Sequence, residues 1–228
     1  MELSLKRWEL KQYIEKQLQY YFPDKYIFKG NDIDIAFELA LERTEYCFKH
    51  ISLPGYTKNG EAMFSHLHSD QYSQFLYYLS NSLWKQSENK PICDKIIFMN
   101  KVLNGMFYSY KAKLPNIFLF GHPVGSIIGN ADYSDFLVVL QNVTINTDTD
   151  NDGNLAPKIG KGVFLGAGAK IIGNKSIGDR SSIGVNTMIY NREIPNDSIV
   201  YTNSDGKLEI IKRKKICKAQ SFFNVVIE

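Results

Sequence analysis

The sequence predicts an α+β protein in which an N-terminal helical bundle precedes a parallel β-helix of hexapeptide repeats. The aromatic residues and glycines are unevenly distributed: 21 of 30 aromatic residues lie before residue 116, and 12 of 16 glycines lie after it. Apolar residues recur every three or four positions in the first part and every six in the second. We expect a helical domain over residues 1–114, a β-helix over 115–205 and a basic tail over 206–228.

Four amphipathic helices account for the first domain. Apolar spacing predicts helices over residues 4–22 and 32–50. Ser69 or Asp70 can cap a third helix, and Pro91 stands at the start of a fourth. We expect the many aromatic side chains of these helices in a packed core or an interface.

The second part contains aliphatic residues at every sixth position. One series runs from Ile159 to Ile189, and an earlier one, counted back from Ile145, reaches Ile127. Each of these residues is expected to point into the coil, with the glycines at tight corners. The segment 146–158 has three aspartates, a glycine and a proline, and it is expected to be an exposed excursion.

Charge and cysteine content exclude several classes of protein. A net charge of +3 in 228 residues is too mild to favour a nucleic-acid partner. The three cysteines lie far apart, which argues against a disulfide framework or a zinc site, and we expect no bound metal. Because no apolar run approaches about 20 residues and the N-terminus lacks a signal-like apolar region, we expect a cytoplasmic protein without a membrane span.

Residues 156–189, APKIGKGVFLGAGAKIIGNKSIGDRSSIGVNTMI, resemble the acetyl-CoA-dependent hexapeptide acyltransferases, most closely their serine acetyltransferase branch. The segment HPVGSIIG from His122 and the segment LQNVTI from Leu140 stand where that branch carries a His-x-x-Gly segment and a Q-x-V-T strand. The resemblance implies a left-handed β-helix and a homotrimer, or a dimer of trimers joined by the helical domain. It further implies acetyl-CoA in the groove between neighbouring coils and the matching histidine as general base.

His122 is the candidate catalytic residue, because it alone of the four histidines lies in the β-helical part. A neutral imidazole can accept the proton of an attacking hydroxyl and return it to the departing thiolate. No cysteine lies in the repeat, so a covalent acyl-enzyme is not expected. The competing interpretation is a corner residue whose ring only bonds a carbonyl.

Candidate residues for acetyl-CoA come from the repeat and the tail. The small residues of the GAGAK run leave room for a pantetheine arm, and the basic tail either contacts phosphates or is a solvated face. The expected cofactor-binding residues are Gly166, Ala167, Lys170, Val185, Lys212 and Arg213.

Several expected charges are missing from the acceptor side. Gly121 stands where the branch has an aspartate, no carboxylate occurs about one coil earlier, and Leu155-Ala156 replaces an Arg-His pair. Because such charges select a small zwitterion, the sequence predicts O-acetyl transfer to a sugar or saccharide, in surface-polysaccharide synthesis, and not to serine. Serine O-acetyltransferase of cysteine biosynthesis is the alternative, as is an inactive β-helical binding or structural protein. The polar candidates for contacting the acceptor or orienting His122 are His68, Asp70, Asp132 and Asp135.

Overall fold

The computed structural model describes all 228 residues and begins with four helices. These are α1 (Arg7–Tyr21), α2 (Asn31–Phe48), α3 (Ser69–Ser87) and α4 (Lys90–Asn104). Helix α3 lies at the centre of the domain, since every residue from Asp70 to Leu83 is buried. The predicted caps of α3 are wrong: His68 occupies the N-cap, and neither Ser69 nor Asp70 caps the helix. In length and hydropathy, no helix meets the requirement for crossing a membrane.

The other regular elements are seventeen short strands and one 3₁₀ helix, Lys218–Phe222. The first three form a small sheet beside the helices, in the order β1-β3-β2, and β4 to β17 form the coil. The strands are β1 (Glu2–Leu3), β2 (Thr57–Lys58), β3 (Glu61–Phe64), β4 (Phe107–Tyr108), β5 (Phe118–Phe120), β6 (Ile127–Ile128), β7 (Asp132–Tyr133), β8 (Leu137–Val139), β9 (Thr144–Thr149), β10 (Leu155–Ala156), β11 (Lys158–Ile159), β12 (Phe164–Leu165), β13 (Lys170–Gly173), β14 (Ser182–Ile183), β15 (Met188–Tyr190), β16 (Ser198–Thr202) and β17 (Leu208–Lys212).

The coil has three faces of stacked parallel strands. The first face contains β4, β6, β9, β13 and β15. The second contains β7 and β11 and continues through bridges at Ile177 and Ile194. The third contains β5, β8, β12, β14 and β16, and antiparallel β17 extends it. The α+β fold class that the sequence predicts is confirmed.

The six-residue period corresponds to the buried column of the coil. The aliphatic residues at every sixth position from Ile159 to Ile189 are at most 1% exposed. The earlier series is wrong at its start, because Ile127 is 49% exposed and Ile128 is 1% exposed. Phe120 pairs with Val139 and Ile128 with Ile145, so seven residues form this corner where five form the next. The register shifts by one residue because five positions, not six, separate Ile128 from the next buried residue of the column, Tyr133.

The two parts of the chain share one hydrophobic core. A single cluster of 58 buried residues includes side chains from the helices and from the coil. The first coil strand begins at Phe107, inside the segment that we assigned to the helical domain. The excursion 146–158 contains a hairpin in which β10 pairs with β9, and the tail folds back so that Asn224 N donates to His50 O.

Candidate active site

His122 lies on the lengthened corner between β5 on the third face and β6 on the first face. Its backbone adopts a φ of +50°, a left-handed conformation that costs a non-glycine residue about 1–2 kcal/mol. Its side chain is 83% exposed. Strained backbone of this kind persists where the surrounding structure holds it, and it is concentrated at functional sites.

Asp70, in the first turn of α3, holds this corner. Its carboxylate Oδ2 accepts the His122 backbone N–H at 2.9 Å and lies 3.3 Å from His122 Nδ1. The Asp70 side chain is only 7% exposed. The helical domain therefore supplies a buried carboxylate to the exposed imidazole of the coil.

His68 stands at the N-cap of the same helix. Its Nδ1 is buried without a hydrogen-bond partner, and its ring meets the edge of Tyr56, with centroids 5.6 Å apart. The Tyr56 hydroxyl is also buried and unpartnered. Burial raises the pKa of Tyr56, and the nearby Asp70 carboxylate raises it further. No group of three or more His, Cys, Asp or Glu side chains is arranged to hold a metal ion.

The other two polar candidates do not join His122. Asp132 is exposed on β7, on the second face of the coil. Asp135 Oδ1 accepts the Ile117 backbone N–H at 3.0 Å, so this carboxylate stabilises the path of the chain into β5. Both were wrong as candidates for orienting His122, because the coil directs them away from its corner.

The corners between the third and first faces stack in one column. The backbone N–H groups of Gly121, Gly166 and Gly184 each donate to a carbonyl of the next coil. Ala167 and Val185 follow at this corner on successive coils, and Asn186 N donates to Ala167 O. A Cβ on Gly166 would lie 2.8 Å from Ile183 O, so the spacing of the coils already requires this glycine.

The exposed flank of this column has one basic residue from the repeat. Lys170 pairs with Thr144 and Met188 across the first face, and its Nζ lies 3.1 Å from Gly168 O. Val185 is 65% exposed, while Ala167 is half-buried. Side chains of Ala167, Lys170 and Val185 are therefore available to a ligand that runs along the column.

A groove of about 970 Å³ opens on the third face beside Gly184, between the coil and residues 211–218. Its apolar floor includes Phe164, Ile183, Ile199, Ile211 and Ile216, and its basic rim includes Lys212, Lys214, Lys215 and Lys218.

Lys212 is an exposed rim residue, whereas Arg213 is engaged in an ion pair. The Arg213 guanidinium binds Asp197 and donates to Lys215 O, so it anchors the tail. Arg213 also lines the groove, so its contact with a phosphate stays a prediction, now with the guanidinium held in place by Asp197.

Sequence analysis named Asp70 among four polar candidates for contacting the acceptor or orienting His122, but it could not single out the pairing of Asp70 with His122. The two residues are 52 positions apart and belong to different domains. No local spacing could indicate the contact; the only signal was the lack of a carboxylate at the expected places in the coil.

Curated proteins match about half of this chain in sequence. The serine acetyltransferase of Haemophilus influenzae is 36% identical over 116 residues, which are 50% of this chain and 43% of that protein. The Synechococcus elongatus serine acetyltransferase is 28% identical over 119 residues, 51% of this chain and 48% of that protein. The chain thus matches a little under half the length of these curated relatives. No protein-family profile matches it.

Solved structures extend the likeness in fold to the helical domain. Serine acetyltransferase from Brucella abortus superposes with a TM-score of 0.62 at 18% identity, covering 93% of this chain and 99% of that one. The Neisseria gonorrhoeae enzyme gives 0.62 at 19% identity, covering 79% and 70%. The match confirms the helical region followed by a left-handed β-helix.

These comparisons confirm the resemblance to the serine acetyltransferase branch. The prediction of a sugar or saccharide acceptor, and of a role in polysaccharide synthesis, is wrong: these relatives and structural neighbours are named serine acetyltransferases. The prediction rested on charges that are missing from the coil. The carboxylate beside His122 comes instead from α3.

Proposed function

We propose that this protein transfers the acetyl group of acetyl-CoA to the hydroxyl of serine, with His122 as general base. The observation that carries the proposal is the exposed His122 imidazole on a lengthened corner at one end of the glycine-bearing column. The relatives that match about half of this chain are named serine acetyltransferases. One solved structure with a TM-score of 0.56 to this chain is described as a serine acetyltransferase in complex with CoA.

His122 manages the proton in the proposed reaction. Its Nε2 accepts the proton of the serine hydroxyl as the oxygen forms a bond to the thioester carbonyl carbon. The tetrahedral intermediate then breaks its C–S bond, and the imidazolium returns the proton to the CoA thiolate. The Ala167 backbone N–H has no partner in the chain, and it is a donor available on the same edge of the coil for an oxyanion or a pantetheine amide.

The donor's nucleotide fits the groove on the third face. Its apolar floor suits an adenine ring, and the ammonium groups of Lys212, Lys214, Lys215 and Lys218 suit phosphates. Gly184 belongs both to this groove and to the column that leads to Gly121. Three coil spacings of about 4.8 Å separate these glycines, so the pantetheine arm would run about 14 Å along the column.

The proposal includes a homotrimer formed through the coils. Phe107 and Ile127 are neighbours on the first face and are 42% and 49% exposed, and Met188 on the same face is 55% exposed. An unpartnered apolar face of this kind favours association. On α1, Trp8 is 62% and Tyr20 81% exposed, which favours a dimer of trimers through the helices. Light scattering would give the mass of the assembly.

A thiol-release assay with acetyl-CoA tests the activity. We expect serine-dependent release of CoA, and a loss on the order of 10²-fold or more in kcat for His122→Ala with CoA binding retained. His50→Ala is the matched control, because that imidazole bonds Tyr46 O on the helical domain. Turnover retained in His122→Ala would overturn the general-base role. Binding of acetyl-CoA without transfer to serine or any other hydroxyl would indicate a binding protein.

A further inference from the structure

We infer that Asp70, a residue of the helical domain, is the positioning residue that fixes the His122 imidazole for proton transfer. The inference rests on the proposed function and deepens it. It makes the site a product of both domains: the base lies on the coil, and the carboxylate that orients it lies on α3.

The contact has the geometry of a carboxylate–imidazole pair. Asp70 Oδ2 is 3.3 Å from His122 Nδ1 and 2.9 Å from the His122 backbone nitrogen. Ser69 Oγ donates to the other carboxylate oxygen at 3.2 Å. The carboxylate is thus held from both sides, and it in turn fixes both the backbone and the ring of His122.

The chemistry of the pair sets the tautomer of the ring. An ionised carboxylate only accepts hydrogen bonds, so the tautomer that this pair favours has its proton on Nδ1, which lies 3.3 Å from Asp70 Oδ2. The lone pair of the neutral ring is then on Nε2. Because the His122 side chain is 83% exposed, that nitrogen is free to meet the acceptor hydroxyl. The same carboxylate stabilises the imidazolium that forms during transfer.

The start of α3 is a suitable place for a buried negative charge. Ser69, Asp70 and Gln71 present backbone N–H groups without partners in the chain, at the positive end of a 19-residue helix. This favourable field offsets part of the cost of burying the carboxylate. Asp70 does not cap the helix, because its side chain contacts His122 on the coil instead.

A second feature supports a role beyond stability. The segment from Phe107 to Phe120, the rung that leads to the corner, contains no aspartate or glutamate. Asp132 and Asp135 lie elsewhere on the coil. Asp70 is therefore the one carboxylate that the chain itself pairs with this ring. We expect the coil without α3 to hold His122 in the wrong tautomer and orientation.

The test is Asp70→Asn, measured against Asp70→Glu and wild type. We expect Asn to lower kcat on the order of 10² to 10⁴-fold while KM for acetyl-CoA stays near its wild-type value, and Glu to restore part of the loss. Asp34→Asn makes the same chemical change on the exposed side of α2 and should leave kcat unchanged. Wild-type kcat in Asp70→Asn would overturn the inference.

A spectroscopic readout separates this inference from the activity. In ¹⁵N NMR spectra of the neutral ring, wild-type His122 should carry its proton on Nδ1, and Asp70→Asn should show a mixture of tautomers. Proton on Nε2 in the wild type would refute the inference even if Asp70→Asn failed to fold. Conversely, an Nδ1 tautomer without any serine acetylation would leave the positioning intact and refute the proposed function.

Discussion

The coil and the helical domain stabilise their interiors by opposite means. In the coil, one aliphatic position in six is buried, and the glycines stand where the next coil comes too close for a side chain. In the helical domain, α3 buries polar side chains that donate to specific backbone carbonyls: Asn81 donates to Tyr110 O, and Gln74 to Phe118 O. The repeated coils form a regular scaffold, but because each coil presents similar residues, repetition alone does not create a unique site.

The candidate site arises where the two regions meet and the repetition breaks. The corner with His122 is two residues longer than the next one, and its partner carboxylate comes from the non-repeating domain. The regular coils therefore provide the column of corners, and the lengthened corner with its partner from α3 provides the reactive groups. This division predicts which substitutions damage the scaffold and how strongly.

The largest effect is expected at the register of the lengthened corner. Ile128→Ala removes a side chain that is 1% exposed and should lower the free energy of unfolding by about 2–5 kcal/mol. Ile127→Ala, one position away and 49% exposed in the single chain, leaves the core of the coil intact and trims only the proposed contact between chains, so it should cost clearly less than Ile128→Ala. Urea unfolding at a fixed protein concentration measures both. Equal losses would mean that the six-residue spacing extends back to Ile127 and that Ile127, like Ile128, belongs to the buried column.

The sequence was sufficient to predict those elements whose apolar residues recur at a fixed spacing. Spacing of six predicted the buried column from Ile159 to Ile189, and apolar spacing of three or four positions predicted the four helices. His122 could be selected because it is the single histidine in the coil. The resemblance supplied the role of His122, and the comparisons corrected the acceptor.

What the sequence could not indicate are contacts between residues that no period relates. Asp70 and His122 are 52 positions apart, and Arg213 meets an aspartate 16 positions earlier. Residue types and spacing mark each of these side chains as polar or charged, but only the folded chain decides its partner. The shifted register at Ile128 has the same origin, because the length of a corner cannot be read from hydrophobicity alone.

A smaller effect is expected where only the spacing of the coils is disturbed. A Cβ on Gly178 would lie 2.4 Å from Asn196 N and 2.5 Å from Pro195 C, so Gly178→Ala must push two coils apart. We expect a loss of about 3 kcal/mol. Gly206→Ala is the matched control: its φ is +75° but no atom lies within 4 Å, so only backbone strain of about 1 kcal/mol applies. A cost at Gly178 no greater than at Gly206 would show that the coils can separate freely, contrary to a scaffold set by stacking.

The smallest effect is expected at the C-terminal end of the coil, where Asp197 pairs with two arginines. Asp197 binds Arg180 and Arg213, and these side chains are 28%, 19% and 19% exposed. Hydrogen bonds from Arg180, then from Arg213, hold the pKa of Asp197 well below its ordinary value of 3.8. A carboxyl with a lowered pKa stabilises the fold above its unfolded pKa, and this contribution is lost as the pH falls through the folded pKa. Asp197→Asn should therefore cost about 1 kcal/mol at pH 7, and the difference from wild type should shrink below about pH 4. Asp205→Asn, in the neighbouring exposed turn, should match wild type throughout. A difference for Asp197→Asn that stayed constant from pH 7 to pH 2 would mean that Asp197 stabilises this end of the coil through packing, and not through its charge.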